Sequence, residues 1–402
     1  MQMTELPNPK LPNPDPTNLA SGPLAGIRVL DLTSVVMGPY ATQMLGDLGA
    51  DVVKIEEPAG DLSRSMGPGR QRGMSGTALN LHRNKRSVLL DLKNAANRPI
   101  VEALVRRSDV IVTNLRPGPL ARLNLGYEAC RDIRHDTIFC QAHGWPSDSE
   151  HGDRPAYDDI IQSATGAADL MERVTTQVKL FPSIVADKVC GLMILNGVLA
   201  ALYHRERSGE GQRIEVPMID AALSFQLVEH LAGAAMEPPM SAAGYGRVVS
   251  PERGSQCASD GWITVLPYDD RQWRAMFVAG GRPDLADDAR FSNAYARSIN
   301  PDALYTELGK LLATRTVAEW MDACAVMGVA AEPVRSLDDA IEIAMANGSI
   351  MLAEHPIVGT YRQVQPPIRM SATPQNVWRH APLIGEHTDE VLAELGLADG
   401  SV

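Results

Sequence analysis

The chain of 402 residues has few features of a metal, disulfide-bonded or nucleic-acid-binding protein. Its five cysteines (Cys130, Cys140, Cys190, Cys257 and Cys324) are scattered without CxxC or zinc-type spacing, so the sequence indicates neither a disulfide framework nor a metal site. A reducing cytoplasm is the simplest compartment for such a chain. The formal net charge of -12 argues against general nucleic-acid binding.

Long apolar runs and targeting signals are also scarce. The most apolar helix candidate is interrupted by Lys188, Asn196 and His204, so we expect no membrane span. Residues 1–21 are rich in Pro and Asn and lack the basic start and apolar middle of a signal peptide, which predicts a disordered leader. With 45% hydrophobic and 21% charged residues, the chain has a globular composition and length for two or three domains.

From Ile27 onward, short apolar runs alternate with helical segments. IRVLDLT, a crossover from Gly38 to Gly49, and ADVVKIE predict a parallel βαβ unit in a doubly wound, Rossmann-like α/β sheet. Ligands of such sheets bind where strands end, which makes Thr33 to Pro39 a candidate ligand loop. The loop lacks Gly-x-Gly-x-x-Gly, which disfavours a dinucleotide cofactor, although Glu56 ends the second strand as a ribose-binding acid would.

The segment from Phe181 to Asp220 contains the most suggestive acid, Asp187. A Pro-Ser turn precedes it, and the run from Lys188 to His204 is apolar on nearly every side, as in a helix buried between two layers. Asp187 is therefore predicted at a helix N-terminus, where partial positive charge favours an ionised carboxylate facing a pocket. An Asp at this place is more often an N-cap than a nucleophile. Gly209 is expected to end the helix, and Arg213 to Val216 to form a strand.

Basic residues concentrate between residues 64 and 93, in what we name the basic cluster. A local cationic cluster in an acidic protein suits the several negative charges of a 3'-phosphorylated ADP. The residues alone favour the alternative, a solvated loop with surface arginines. The basic cluster consists of Arg64, Arg70, Arg72, Arg83, Lys85, Arg86 and Lys93.

Several motifs resemble the class III CoA-transferase family, also called the CaiB/BaiF family. They include VADKVCGL, LAALYHRERSGEGQRIEVPMIDA and PLIGEHTDEVLAELG, within a similarity that extends from about Gly22 to Leu397. The resemblance implies that Asp187 is the catalytic nucleophile, that the substrates are acyl-CoA and a free carboxylic acid, and that no cofactor is permanently bound. It also implies an interlocked homodimer in which each chain threads through a ring made by the other.

The resemblance further implies which residues contact CoA. In the family motif NKRS...LDLK the last Lys, here Lys93, lies beside the nucleotide, and Asn114 and Arg122 match positions that contact the adenine and phosphates. Ser34 and Val36 replace the His and Gln of some formyl-CoA transferases, and Glu57 replaces an Arg, so these contacts are expected to differ in detail. The residues expected to contact CoA are Val36, Leu92, Lys93, Asn114, Leu115 and Arg122.

Tyr157 and Asp158 resemble the family's Tyr-Asp pair beside the active pocket. The related α-methylacyl-CoA racemases have a His at the position of Tyr157 and a Glu at that of Gln256. Proton abstraction beside a thioester needs two opposed acid/base groups, and a Tyr with a pKa of about 10 is a poor base at neutral pH. A CoA-transferase is therefore predicted. The alternatives are a racemase or other acyl-CoA-processing enzyme and, more remotely, a dinucleotide-dependent oxidoreductase or a non-catalytic CoA-binding protein.

Shifts in composition predict the domain organisation. We expect a large CoA-binding α/β domain over residues 22–228, a linker over 229–250, a smaller α+β domain over 251–339, and a C-terminal segment over 340–402 that returns to the large domain. In the smaller domain, Asp269 or Asp270 is a good helix cap. PIVGTYRQVQPPIRMSATP predicts two short strands. Thr388 can cap the last helix, which makes His387 a packing residue rather than a catalytic base.

Overall fold

The structure is a computed structural model that describes residues 21–397. The predicted disordered leader, apart from its last residue, lies outside the described residues. The strands are β1 (Arg28–Leu32), β2 (Asp51–Glu56), β3 (Lys85–Leu89), β4 (Val110–Thr113), β5 (Ile138–His143), β6 (Arg213–Pro217), β7 (Gln256–Cys257), β8 (Trp262–Leu266), β9 (Ala330–Pro333), β10 (Ile350–His355) and β11 (Gly359–Val364).

The α-helices vary in length from a single turn to 24 residues. They are α1 (Met37–Asp47), α2 (Gly76–Leu81), α3 (Arg98–Arg107), α4 (Pro117–Arg122), α5 (Tyr127–Ile133), α6 (Asp158–Ala164), α7 (Ala167–Thr175), α8 (Val185–Ser208), α9 (Met218–His230), α10 (Gly246–Val249), α11 (Asp270–Ala279), α12 (Ala294–Ile299), α13 (Pro301–Leu312), α14 (Val317–Met327), α15 (Leu337–Ala346) and α16 (Thr388–Glu394).

Six strands form a parallel sheet in the order β3-β2-β1-β4-β5-β6, which confirms the predicted parallel α/β sheet. In register, Val29 of β1 pairs with Val52 on one side and with Val110 on the other. The strand order reverses between β1 and β4, and open α/β sheets bind ligands at the carboxyl ends of the strands beside such a reversal. The two smaller sheets, β10-β11 and β7-β8-β9, are antiparallel.

Helices cover both faces of the parallel sheet because successive strand residues point to opposite sides. Val29 and Ile138 belong to an apolar cluster with residues of α1 and α8, whereas their neighbours Leu30 and Phe139 belong to a second cluster with residues of α3 and α5. Both faces of the sheet are therefore buried, and ligands reach it at the strand ends.

Helix α8 carries Asp187 in its first turn and ends at Gly209, which has the predicted left-handed conformation with φ 75°. Within residues 21–397, it is the one helix long and apolar enough to cross a membrane, contrary to our expectation that Lys188, Asn196 and His204 interrupt it too often. Half of its most apolar window is buried inside the structure. Because α8 packs against α1, β5 and β6, the core accounts for its apolar content.

The chain divides into two compact units, and the division differs from the predicted domains. Among the described residues, 21–164, 183–225 and 341–397 form the first unit, while residues 165–182 and 226–340 form the second unit. Residues 165–182 thus leave the large domain to which we assigned them. Two contacts hold them in the second unit: Arg173 Nη1 donates to Ala243 O at 2.9 Å, and Gln226 Nε2 donates to Thr165 O at 2.7 Å.

The second unit has its own apolar core around Trp320, which is fully buried and donates from Nε1 to Leu312 O at 2.9 Å. Of the two predicted caps of α11, Asp269 is the cap: its carboxylate accepts the Gln272 N–H at 2.7 Å, and the Gln272 side chain reaches back to the backbone of the cap.

The C-terminal segment differs from its prediction in two places. Only β11 lies in the stretch expected to hold two strands, because its partner β10 precedes that stretch. Thr388 does not cap α16. Its hydroxyl accepts the Leu89 N–H at 3.0 Å and donates to Gly385 O at 2.8 Å, which fastens the segment to the end of β3.

Candidate active site

A cavity of about 180 Å³ lies at the reversal of strand order, in the first unit. Ser34 and Asn114 follow β1 and β4, His143 ends β5, and Asp187 comes from the first turn of α8; all four line the cavity. Parallel strands bring their carboxyl ends to the same edge of the sheet, which explains why residues distant in sequence meet here. The candidate ligand loop predicted after β1 is part of this site.

Asp187 is the third residue of α8, and its side chain is buried. It is not the N-cap: Ile184 holds that position, and no side chain caps the helix there. The Asp187 N–H donates to Asp158 Oδ1 at 3.1 Å, so a second carboxylate, rather than a Lys or Arg, lies against this turn. Within residues 21–397, no ion pair involves Asp187, so its carboxylate remains available to a substrate.

The pKa of Asp187 is raised from 3.8 to about 7. Burial is the largest cause of this shift, and the nearby Asp158 and Asp159 carboxylates contribute the rest. The helix terminus was expected to favour the ionised form, but desolvation and like charge outweigh that effect here. A carboxylate whose pKa lies near neutrality is ionised in part at pH 7 and poorly solvated, and perturbed acids of this kind concentrate at functional sites.

Tyr157 and Asp158 lie beside Asp187 in two different environments. Asp158 is buried and accepts a second hydrogen bond from Gln162 Nε2 at 2.6 Å. Tyr157 lines the cavity, yet 59% of its surface is exposed. Asp158 therefore positions the first turn of α8, while Tyr157 forms part of the cavity wall.

The loop between β1 and α1 is fixed to β4 across the reversal. The Ser34 N–H donates to Asn114 Oδ1 at 3.0 Å, and Asn114 Nδ2 donates back to Ser34 O at 2.7 Å. The next residue, Val35, has φ 73°, a conformation that β-branched side chains rarely adopt. Strain of this kind persists where surrounding contacts hold it, commonly at functional sites.

Sequence reasoning missed two residues that line the cavity, His143 and Arg116. His143 Nε2 is 3.3 Å from Glu215 Oε1, and neither ring nitrogen has a well-formed hydrogen bond to a described residue. Burial lowers the pKa of His143, which favours a neutral ring. Arg116 Nη1 donates to Asp153 O, but Arg116 has no acidic partner among residues 21–397. Both residues are at or near strand ends, and that position was the signal available in the sequence.

The residues expected to contact CoA are only partly brought together. Asn114 lines the cavity with Asp187, and Val36 is the buried residue immediately before α1. Leu92 and Leu115 are half-buried against the second apolar cluster of the sheet. Lys93 is exposed and lies 2.7 Å from Glu57 Oε1, and Arg122 is exposed at the end of α4.

Most of the basic cluster is not a free cationic surface. Arg64, Arg83, Lys85 and Arg86 are buried, and each forms an ion pair. The partners are Glu56 at 2.6 Å, Asp47 at 2.7 Å, Asp31 at 3.0 Å and Asp51 at 2.6 Å, respectively. These four residues therefore form neither a phosphate site nor a solvated loop with surface arginines, because their charges are paired inside the protein.

Glu56 and His387 also have structural partners. The Glu56 carboxylate accepts from Arg64 Nη2 and from Ser87 Oγ, both at 2.6 Å, so it is not free to bind a ribose. His387 is buried before α16, and its N–H donates to Ser87 O at 2.9 Å. Neither residue lines the cavity, in line with the packing role predicted for His387.

Residues 24–388 match the model of CoA-transferase family III, and the chain belongs to that family. It is 32% identical to the succinate–glutarate CoA-transferase of Agrobacterium fabrum, over 98% of each chain. It is also 32% identical to the succinyl-CoA:mesaconate CoA-transferase of Haloarcula hispanica, over 94% of this chain and 98% of the relative. These relatives are consistent with a class III CoA-transferase.

Solved structures agree with this assignment. The orthorhombic crystal structure of a Mycobacterium tuberculosis protein, whose curated description is probable fatty acyl-CoA transferase, matches with a TM-score of 0.79 and 28% identity, over 92% of this chain and 98% of that one. A CaiB/BaiF family protein from Brucella suis matches with a TM-score of 0.78 and 27% identity, over 93% and 99% of the two chains.

Proposed function

We propose that the chain transfers CoA from an acyl-CoA thioester to a free carboxylic acid through covalent intermediates on Asp187. The observation that carries the proposal is the environment of this residue: a buried carboxylate without a cationic partner among the described residues, lining the cavity at the strand reversal of a family III CoA-transferase. A structural acid at this depth would ordinarily be paired with a cation.

Two acyl exchanges account for the first half of the reaction. The Asp187 carboxylate attacks the donor's thioester carbonyl, and the C–S bond breaks to give an aspartyl-acyl anhydride and CoA thiolate. The thiolate then attacks the Asp187 carbonyl carbon and displaces the donor acid as its carboxylate, which leaves an aspartyl-CoA thioester. Each step exchanges one activated acyl bond for another, so covalent catalysis divides a difficult transfer into easier ones.

The second half repeats these exchanges with the acceptor. Its carboxylate attacks the aspartyl-CoA carbonyl and releases CoA thiolate, giving an aspartyl-acceptor anhydride. The thiolate attacks the acceptor's acyl carbon, which forms the new acyl-CoA and restores the Asp187 carboxylate. Thioester energy is conserved because no step uses water, so the reaction requires that the bound substrates exclude solvent from the cavity.

Each tetrahedral intermediate has an oxyanion that needs hydrogen-bond donors. A neutral His143 carries one ring N–H, and its position in the cavity wall makes it a candidate donor. The first turn of α1 is a second candidate, because Met37 also lines the cavity and the first N–H groups of a helix have no partner within the helix.

We further propose short dicarboxylic acids as the acid class. Arg116 provides a cation in the cavity wall that can pair with a second carboxylate, and a small cavity suits a short acyl chain. The relatives named for succinate, glutarate and mesaconate support this choice.

For CoA itself, we propose that Val36, Leu92, Lys93, Asn114, Leu115 and Arg122 provide contacts, with Lys93 and Arg122 at the phosphates. Replacing Arg122 with Ala should raise the KM for acyl-CoA about tenfold and leave the KM for the free acid nearly unchanged, since a hydrogen bond to a charged group contributes roughly 1.5–3 kcal/mol. Lys93→Ala should have a smaller effect because Lys93 must first leave Glu57. Equal changes in both KM values would contradict the assignment.

The homodimer and the cytoplasmic location are also proposals. The dimer is motivated by the family resemblance, and sedimentation equilibrium would test it: a mass near twice the 43.4 kDa of one chain is expected, and a monomer at micromolar concentration would contradict it.

The proposed reaction is tested by incubating the protein with acyl-CoA donors and free acids and identifying products by mass spectrometry. We expect a new acyl-CoA only when donor and acceptor are both present, with succinate-sized dicarboxylates preferred over monocarboxylates of equal length. Exchange of solvent deuterium into the α-carbon of a 2-methylacyl-CoA without an acceptor would instead indicate a racemase.

A further inference from the structure

Four charged side chains lie buried beneath the loop between β1 and α1. They form a group that we name the buried-ion network: Asp31, Lys54, Asp61 and Lys85. Lys54 Nζ is 2.8 Å from Asp61 Oδ2, and Lys85 Nζ is 3.0 Å from Asp31 Oδ2. Burying two ion pairs is costly and seldom adds net stability over apolar residues, so the network needs a reason other than stability.

The buried-ion network holds the backbone of the loop. Asp31 Oδ1 accepts the Thr33 N–H at 2.9 Å, and Lys54 Nζ donates to Thr33 O at 2.6 Å. Asp61 Oδ1 accepts the Val35 N–H at 3.0 Å. Three successive peptide groups are thus bonded to charged side chains, each of which is itself paired and buried.

Val35 is the residue that needs such support. Its φ of 73° places a β-branched side chain in the left-handed region, where only firm contacts keep it. The carboxylate of Asp61 faces the N–H of this same residue. Asp61 also caps the following short turn, with Oδ1 accepting the Ser63 N–H at 2.8 Å, so its own position is fixed.

The conformation of Val35 determines where α1 begins. Val36 precedes the helix, and no described side chain caps its first turn. That turn packs tightly on α8: a Cβ added at Gly191 would come within 2.9 Å of Met37 O. Met37 and Val35 line the cavity together with Asp187. A shift of the loop would therefore move one wall of the cavity relative to the nucleophile.

We propose that Asp61, with Lys54, is a positioning residue for CoA transfer: it holds the strained Val35 peptide so that the loop and the first turn of α1 stay beside Asp187. The proposal rests on the proposed function of Asp187. It assigns Asp61 no contact with substrate, so its effect is indirect, through the placement of the reacting groups.

The test compares two variants that remove one charge from a buried ion pair. Asp61→Asn weakens the support of Val35. Asp47→Asn is the matched control, because Asp47 is equally buried, pairs with Arg83 at 2.7 Å, and lies at the opposite end of α1. Both should lower the melting temperature. Only Asp61→Asn should lower kcat per folded enzyme, by about tenfold to a hundredfold, the size expected for small misplacement of reacting groups.

A double-mutant cycle with Val35→Gly separates positioning from general loss of structure. Glycine adopts positive φ without strain, so Asp61→Asn should reduce kcat less in the Val35→Gly background than in the wild type. Wild-type kcat per folded molecule in Asp61→Asn would overturn the proposal, and so would an equal kcat loss in both backgrounds.

Two further comparisons keep the result interpretable. Where Asp61→Asn does not fold, the double variant Asp61→Asn/Lys54→Met removes both ions together. This double variant should show the same loss of kcat, and a normal kcat would overturn the proposal. Asp187→Asn, assayed in parallel, separates the two claims. Turnover by Asp187→Asn defeats the proposed function, whereas an inactive Asp187→Asn beside a fully active Asp61→Asn defeats only the positioning role.

Discussion

Two buried aspartates in the same α/β unit, Asp31 and Asp187, have opposite electrostatic environments. Burial alone would raise the pKa of Asp31, but Lys85 and Lys54 lower it well below its usual range, and the Thr33 and Thr42 hydroxyls support the ionised form. Asp187 is also buried, yet its neighbours are Asp158 and Asp159, and its pKa rises to about 7. Of these two buried carboxylates, the one with cationic neighbours stays charged, and the one with acidic neighbours has a pKa near neutrality.

The difference shows how the neighbours of a buried acid decide what it can do. The carboxylate of Asp31 is engaged by a lysine and by the hydroxyl groups of two threonines, which makes it a fixed part of the fold. Asp187 carries the cost of desolvation without that compensation, and a poorly solvated carboxylate reacts more readily with an electrophilic carbonyl. The same comparison yields predictions for both residues.

Asp187→Asn should have the largest effect, on activity. An amide cannot form the anhydride, so turnover should fall at least about a thousandfold while the fold is retained. A merely structural acid predicts a different result, because Asn has nearly the shape of Asp and the folded variant would stay active. Steady-state transfer assays, normalised to folded protein by circular dichroism, distinguish the two.

The same substitution should stabilise the protein at alkaline pH. Because the pKa of Asp187 is raised in the folded state, the fold retains a proton that the unfolded chain releases between pH 3.8 and about 7, and wild-type stability falls through this window. Above it, Asp187→Asn should be more stable by up to about 4 kcal/mol, and at pH 3 the difference should vanish. Urea unfolding of the wild type and of Asp187→Asn at pH 3 and pH 8 provides the measurement. Equal stability of the two proteins at pH 8 would contradict the cost assigned to burying the ionised Asp187.

Asp31→Asn should destabilise the protein, which is the reverse of the effect expected for Asp187→Asn at alkaline pH. It leaves Lys85 buried without its main counter-ion, and breaking one partner of a buried pair costs about 3–5 kcal/mol. Because the pKa of Asp31 is lowered, its contribution is complete above pH 4 and is lost as the pH falls through its folded value, so the deficit should be the same at pH 5 and pH 7. If Asp31→Asn were as stable as the wild type, the opposite electrostatic environments assigned to Asp31 and Asp187 would be contradicted.

The pH dependence of catalysis should report the raised pKa of Asp187. If the ionised carboxylate is the nucleophile, kcat/KM should rise with pH and level off above an apparent pKa of about 7. Asp159→Asn removes the smallest of the causes that raise the pKa of Asp187. It should therefore move the rising limb of the kcat/KM profile to lower pH by less than about one unit. Glu128→Gln, which removes an exposed charge in α5, should leave the limb in place. A limb near pH 4 in the wild type would count against a desolvated nucleophile.

The sequence permitted a good prediction of the α/β unit and of the place of Asp187 in it. The βαβ pattern, the apolar run of α8 and the glycine at its end are local signals, and they predicted the parallel sheet and the position of Asp187 in a first helical turn. The strand ends predicted to hold ligand groups do come together, since Ser34 and Asn114 meet there.

Local sequence patterns could not predict the ion pairs between residues that are far apart in the chain. Lys85 pairs with Asp31, 54 residues earlier in the chain, and Arg83 pairs with Asp47, 36 residues earlier. The sequence of this segment suggests a cationic surface, but folding of the sheet buries these residues as ion pairs. For the same reason the raised pKa of Asp187 was not predicted: its main cause is burial, and the acids that add to it come from α6, about 30 residues before it, so only folding produces both effects.

Chemical trapping of the intermediate tests the central claim most directly. The enzyme is incubated with acyl-CoA and no acceptor, treated with hydroxylamine, digested and examined by mass spectrometry. A hydroxamate on the peptide that contains Asp187, absent from Asp187→Asn, is the predicted result, because hydroxylamine cleaves both an aspartyl anhydride and an aspartyl thioester. An adduct on another acid such as Asp158, or turnover that proceeds without any acid-derived adduct, would contradict a covalent role for Asp187.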